Sequence, residues 1–232
     1  MLVSVLSYAF EVVTYEVLKG EPNELGTLIQ QWRMSTYYPY PYLYHFTQDP
    51  KAEDISYYNS DQTLIAIAKK EGKIIALATG IPLINYNYDK FVASQQFKNY
   101  SKVKMDEIFL LDELLFEDNL SLNQRYKVGK ELIRQMEASL LNSSFKHIAK
   151  LIVDRAIDHP LRTYTYFDET KLLNELKYVS TDIVISVPWT TRISENERRY
   201  QDNPMRYWVK ERTFDGLWDK TSELSRTRIR ER

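Results

Sequence analysis

A chain of 232 residues, 44% hydrophobic and 27% charged, is long enough for one folded domain with a substantial core. Its 31 Lys and Arg nearly balance its 32 Asp and Glu, so no overall excess of positive charge points to nucleic acid or to an anionic membrane as a partner. Cysteine is absent, which removes disulfides and thiol chemistry, and His45, His147 and His159 stand too far apart for a metal-ligand spacing, so no metal is expected.

The first residues, Met1 to Leu6, are apolar but have no basic residue before them and acidic Glu11 soon after, which reads against a signal peptide. No apolar run approaches the roughly 20 residues that cross a bilayer, and a cytoplasmic protein is the expectation. Phe10 to Leu18 alternates and is rich in β-branched residues, which predicts a first strand closed by Lys19-Gly20. Leu25, Leu28, Ile29 and Trp32 then recur at helical spacing, predicting a helix from Glu21 to Arg33 with Pro22 in its first turn. Between Tyr37 and Tyr44 two prolines and five tyrosines forbid a regular helix; the segment reads either as a loop packed on the body or as an aromatic wall of a ligand pocket.

Thr63–Lys70 and Lys73–Ile81 flank Glu71-Gly72, a hairpin signal. The polar, aromatic stretch from Asn85 to Met105 has no clear period and reads as an insertion over one edge, with a short helix around Phe91 to Tyr100. Glu107 to Phe116 is a short apolar run and predicts a buried strand. After it, Val128, Leu132, Met136 and Leu140 fall on one side of a helix spanning Asn123 to Ala138, with Arg125, Lys130, Glu131, Arg134 and Glu137 mostly elsewhere around the wheel. His147–Val153 predicts another strand, Thr170 to Tyr178 a helix, Asp182 to Trp189 a strand, and Met205 to Lys210 a last one, pairing either within the chain or with a second copy as a homodimer. Residues 1–212 are expected as a single domain, and 213–232, ending in Arg226, Arg228, Arg230 and Arg232, as a partly disordered tail.

A helix start leaves backbone N–H groups unpaired and carries partial positive charge, and a glycine in that turn lets a phosphate come close. Gln124-x-x-Lys127-x-Gly129 resembles the signature with which GNAT-superfamily acyltransferases hold the pyrophosphate of acetyl-CoA, with Lys127 in place of the first glycine. Further segments resemble a bacterial subfamily of GNAT N-acetyltransferases: Tyr40-Pro41-Tyr42-Leu43-Tyr44, Ala78-Thr79-Gly80-Ile81-Pro82-Leu83, Asp158-His159-Pro160-Leu161-Arg162, Ser186-Val187-Pro188-Trp189 and Pro204-Met205-Arg206-Tyr207-Trp208. The resemblance implies the α/β (α+β) GNAT acyl-CoA N-acyltransferase fold, a central mixed, mostly antiparallel sheet flanked by helices.

It also implies acetyl-CoA as co-substrate and the amine of a small molecule or protein as acceptor. The pyrophosphate would lie on the N–H groups of Val128, Gly129 and Lys130, within a stretch Gln124, Arg125, Tyr126, Lys127, Val128, Gly129 and Lys130, and the thioester beside Leu114, Leu115 and Phe116. Lys127 would either block close approach or add a cation. A protonated amine must lose a proton before it attacks, so Glu113 is the first candidate for general base and Asp112 the second; on a regular strand they face opposite sides, and either can simply sit at an exposed strand end. Tyr164 or Tyr166 would serve the departing thiolate, Tyr166 being preferred. Tyr40, Tyr42 and Tyr44 would wall the acceptor side, and His159 and Arg162 either contact the acceptor or tie down their loop. A fold that binds without catalysing is the competing reading.

Overall fold

Glu71 and Gly72 both take positive φ, 52° and 78°, the turn geometry that closes a two-residue hairpin without splaying its strands. They join β2 (Leu64–Lys70) to β3 (Lys73–Pro82), which pair antiparallel as the alternation around them predicts. A computed structural model describes residues 13–19, 25–45, 62–86, 104–156, 158–163, 166–212 and 218–219. The expected helix around Phe91 to Tyr100, Tyr164 and the arginine-rich tail lie outside these residues.

Around the hairpin the order is β1 (Val13–Lys19), α1 (Gly26–Tyr37), β2, β3, β4 (Ile108–Phe116), α2 (Leu122–Ser139), β5 (His147–Val153), α3 (Glu169–Glu175), β6 (Val179–Arg192), β7 (Arg198–Arg212) and a short β8 (Trp218–Asp219). The sheet runs β1-β2-β3-β4-β5-β7-β6, with β8 on β7. Every neighbouring pair is antiparallel except β4 and β5. Strand β7 therefore pairs within the chain, between β5 and β6.

Helix α1 packs Ile29 and Trp32 against Ile65, Ile67, Leu77 and Leu115 on one face of the sheet. Helices α2 and α3 cover the other face, where Leu132, Met136, Leu172 and Leu173 meet Phe109, Leu111, Ile148 and Ile152. The outward positions of α2, among them Arg134, Ala138 and Ser139, stay exposed, as its 3.6-residue pattern requires.

Four elements differ in extent from expectation. Helix α1 runs past Arg33 to Tyr37, and Tyr38 still takes helical backbone with its N–H on the Met34 carbonyl; Pro39 and Pro41, which lack the N–H that would continue the ladder, follow at once. Strands β6 and β7 are longer than predicted because the polar stretch Arg198–Gln201 hydrogen-bonds to Trp189–Arg192 across the hairpin, so pairing overrides a sequence pattern without apolar alternation.

Helix α3 stops at Glu175 instead of reaching Tyr178. There Lys177 takes φ +67°, with Lys177 N–H donating to the Asn174 carbonyl and Tyr178 N–H to the Leu173 carbonyl, a Schellman ending. A Cβ-bearing residue in this left-handed conformation is strained. Lys177→Gly is expected to stabilise the protein by about 0.5–1 kcal/mol, read as a raised urea midpoint at unchanged slope.

Candidate active site

The parallel pairing of β4 with β5 begins at Ile108↔His147 and ends at Leu111↔Lys150. Beyond it β4 continues to Phe116 and β5 to Val153, so the two strands part at Asp112 and leave a fork in the middle of the sheet. Open sheets place their ligands at the carboxyl ends of parallel strands. Lys150, only 2% exposed, closes the fork's inner corner by donating from Nζ to the Asp112 carbonyl at 3.0 Å.

At the same level β4 carries an extra residue. Ala78 pairs with Leu114 and Gly80 with Leu111, so Thr79 stands opposite both Asp112 and Glu113, and Glu113 N–H donates to Thr79 Oγ1 at 3.2 Å. This bulge corrects the expectation that the two carboxylates face opposite sides, since an extra residue breaks the period of two. The negative charges of both reach the same two hydroxyls, Tyr42 and Tyr86, each pushed well above the ordinary tyrosine value by burial first. Glu113 itself is 6% exposed and accepts from Arg33 Nε of α1 at 2.7 Å. The first candidate base is thus held in a buried ion pair, and its expected location at an exposed strand end is excluded.

On the α2 face, beside the fork, lies a cavity of about 110 Å³. It is walled by the end of α1 and its tyrosine loop (Tyr40, Tyr42), the end of β4 (Leu114, Phe116), Arg125 of α2 and Tyr166, Phe167 and Glu169 ahead of and at the start of α3. Leu114 and Phe116 give this slot apolar walls, and Arg125 and Glu169 bring charged groups to it. Burial raises the Tyr40 hydroxyl, which donates to the Ala156 carbonyl at 3.2 Å while its ring meets Tyr166 edge-on at 4.8 Å. Tyr40 and Tyr42 both line the cavity. Tyr44 stands apart, bridged to Thr191 and tilted against Trp189 at 6.2 Å. Leu115 points to the other face, into the α1 cluster.

The anion cradle does not form where the motif places it. Helix α2 starts at Leu122, one residue before the predicted start, and Ser121 caps it, with Gln124 N–H donating to Ser121 Oγ at 3.4 Å and Ser121 N–H to Gln124 Oε1 at 2.9 Å. Gln124 is therefore a capping-box residue. The N–H groups of Val128, Gly129 and Lys130 lie in the second turn and beyond, where a helix commits each to the carbonyl four residues back. The donors that helix geometry leaves open are those of the first turn, at Leu122 and Asn123. Gly129 is buried, and a Cβ there would sit 3.2 Å from Leu114 Cδ2 and from Phe116 Cζ, so its smallness serves helix-to-strand packing.

The other cradle residues are likewise engaged or turned outward. Arg125 reaches back from Nε to the Leu120 carbonyl at 3.0 Å and Tyr126 exchanges hydrogen bonds with the Asp168 backbone. Lys130 pairs with Glu175 at 2.9 Å, and Lys127 is exposed, on no wall of the cavity.

His159 and Arg162 shape the loop ahead of α3. Arg162 lies over the Tyr166 ring at 5.6 Å, and His159 Nδ1 accepts the Leu161 N–H at 3.2 Å. Burial, then the charge of Arg155, lowers the His159 pKa below 6.5. A depressed histidine contributes stability that is present above its unfolded value of 6.5 and lost as pH falls through its folded value. The His159 ring is expected to titrate below 6.5 by NMR, with amide exchange at Leu161 quickening as it does, because the protonated ring can no longer accept.

Three residues of this region carry no motif and were not anticipated. Arg155 holds the tyrosine loop, donating to the Pro41 carbonyl at 2.6 Å, the Tyr42 carbonyl at 3.3 Å and Asn203 Oδ1 at 2.8 Å. Lys150 and Glu169 approach to 3.3 Å, and Glu169 Oε2 accepts the Tyr42 hydroxyl at 2.5 Å. An isolated lysine inside the apolar run His147 to Val153 was the available signal, since a lysine buried in a strand needs a partner.

Among the described residues no three His, Asp or Glu side chains converge as a metal would need, and no helix is long and apolar enough to cross a membrane. No family model and no curated protein sequence matches the chain. Solved structures do match. The aminoglycoside 6'-N-acetyltransferase from Enterococcus faecium aligns at TM-score 0.50 and 13% identity over 84% of this chain and 96% of its own. A probable acetyltransferase from Staphylococcus epidermidis aligns at 0.52 and 10% identity over 86% of this chain and 100% of its own. The C-terminal condensation domain of Ebony, solved with beta-alanyl-dopamine, aligns at 0.51 and 13% identity over 84% and 99%. With the strand order, the single parallel pair and its fork, these likenesses show that the chain has the GNAT acyl-CoA N-acyltransferase fold.

Proposed function

We propose that the protein is a cytoplasmic, acetyl-CoA-dependent N-acetyltransferase whose acceptor is an amine of a small molecule or a protein. The observation that carries this reading is the slot beside the β4–β5 fork, where Leu114, Phe116, Tyr40, Tyr42 and Tyr166 come together from three separate parts of the chain. Acetyl-CoA supplies an activated acetyl thioester. The slot suits its linear arm: Leu114 and Phe116 line it with apolar surface, and Tyr40 and Tyr166 exclude water from one side. The nucleotide end fits only if held by the first turn of α2 at Leu122 and Asn123, one turn before the motif.

Two features favour the second reading, a fold that binds without catalysing: the Val128–Lys130 N–H groups are committed within α2, and Glu113 is committed to Arg33. Titration calorimetry with acetyl-CoA, followed by thiol release across a panel of primary amines, separates the two. Saturable binding with amine-dependent thiol release supports the transferase; binding without release for any amine supports the second reading. A bulky replacement at buried Gly129 is a poor control, because atoms beyond a Cβ would run into Leu114 and Phe116. Leu122→Pro, which deletes a first-turn N–H at a position that tolerates proline, is the better one, and weakened binding is expected from it.

A further inference from the structure

Glu169 is the carboxylate that lines the slot among the described residues, whereas Asp112 and Glu113 do not border it. Its side chain is 10% exposed, and its two oxygens are held by different groups: Tyr42 donates to Oε2 at 2.5 Å and Lys150 Nζ lies 3.3 Å from Oε1. Lys150 is in turn fixed to the Asp112 carbonyl, at the point where β4 and β5 part. One network thus ties the tyrosine loop, α3, β5 and β4 together around a single carboxylate at the fork. Tyr42 does not give its proton away, because burial and then the charge of Glu169 push its hydroxyl well above the ordinary tyrosine value. The network holds Glu169 in place and leaves it the proton-accepting member.

We propose that Glu169 carries the proton from the acceptor nitrogen to the departing thiolate sulfur. This rests on the acetyltransferase reading, and it moves the catalytic carboxylate from β4 to the start of α3. The acceptor ammonium first loses one proton to solvent. As the nitrogen bonds to the acetyl carbon, its second proton passes to the Glu169 carboxylate; as the carbon–sulfur bond breaks, the carboxyl group returns that proton to sulfur. Atoms and charge balance with an amide, a free thiol and one proton released. Tyr42 and Lys150 are positioning residues, and Glu113 with Arg33 braces the bulge.

The test uses the full chain with acetyl-CoA and with the truncated thioester S-acetyl-N-acetylcysteamine, which needs the slot but no nucleotide site. With whichever primary amine the natural protein accepts, Glu169→Gln is expected to lower kcat by about 10²–10³, the span of a general acid–base group, while thioester binding by calorimetry or ligand-observed NMR stays within about threefold. Glu169→Asp, which keeps the charge for Tyr42 and Lys150 but shortens the reach, is expected to lose about tenfold or more and so serves even where the glutamine variant does not fold. Either variant retaining natural kcat with thioester bound overturns the proposal and leaves the transferase reading standing. A natural protein that binds neither thioester overturns both.

Discussion

Replacing Lys210 by methionine is expected to cost about 3–5 kcal/mol of folding stability, because it strands a buried carboxylate. Glu137 of α2 and Lys210 of β7 are 7% and 6% exposed and approach to 2.7 Å, and the Tyr178 hydroxyl donates to the second oxygen of Glu137 at 2.9 Å. The tyrosine is locked as a donor, since burial first and the Glu137 charge second raise its hydroxyl well above its ordinary value. Breaking such a pair leaves one ion without compensation, whereas removing the whole group leaves none. The triple change Lys210→Met, Glu137→Leu and Tyr178→Phe is therefore expected to recover most of the loss. Urea denaturation monitored by circular dichroism reads both results; a loss below about 1 kcal/mol for Lys210→Met would show that water reaches the carboxylate. The triad lies far from the slot but pins the end of α2 to the sheet, and α2 in turn carries Arg125 into the slot wall.

The parts of the fold that could be read from sequence are those where local chemistry has one solution. Glu71-Gly72 between two apolar runs admits a tight hairpin and little else, and the span His147–Val153 coincides with β5 because a strand buried along its whole length reads as a mostly apolar run. The bulge at Asp112 and Glu113 was not legible, since a strand reads the same with or without an extra residue until its partner is known. The α2 start shows the same limit. Ser121 and Gln124 together form a capping box that is visible in the sequence, yet the resemblance drew attention to Gln124, Lys127 and Gly129 and put the anion-holding N–H groups at Val128 to Lys130, inside the helix. Lys150 and Glu169 escaped for a different reason: they are separated by the whole loop before α3, and only the parting of β4 from β5 brings a lysine and a glutamate together under Tyr42.

The two buried glycines of the resembling segments illustrate what such motifs do and do not carry. A Cβ at Gly80 would lie 2.4 Å from Phe109 Cε1, 2.8 Å from Met136 Cε and 3.0 Å from the Leu110 carbonyl oxygen. Phe109 is fully buried and edge-on to Phe145 at 5.3 Å, so its ring has no free direction, and the carbonyl is fixed in the sheet. Gly80→Ala is expected to cost about 3 kcal/mol, at the upper end for overpacking. Because Gly80 pairs with Leu111 immediately before the bulge, the variant is also expected to bind thioester more weakly, through displaced β4 backbone rather than a lost contact. Phe109→Leu added to it should restore part of the stability by removing the ring edge. Gly129→Ala, by contrast, meets side-chain ends of Leu114, Phe116 and Leu172 at the longer distances of 3.2 to 3.4 Å, and alanine's higher helix propensity, about 1 kcal/mol, offsets the crowding to leave stability within about 1 kcal/mol of natural. Thermal and urea unfolding of the two variants side by side decide the matter: equal losses would mean that both glycines answer to packing alone, whereas a large loss at Gly80 alone places the backbone constraint at the β3–β4 bulge, where the fork begins.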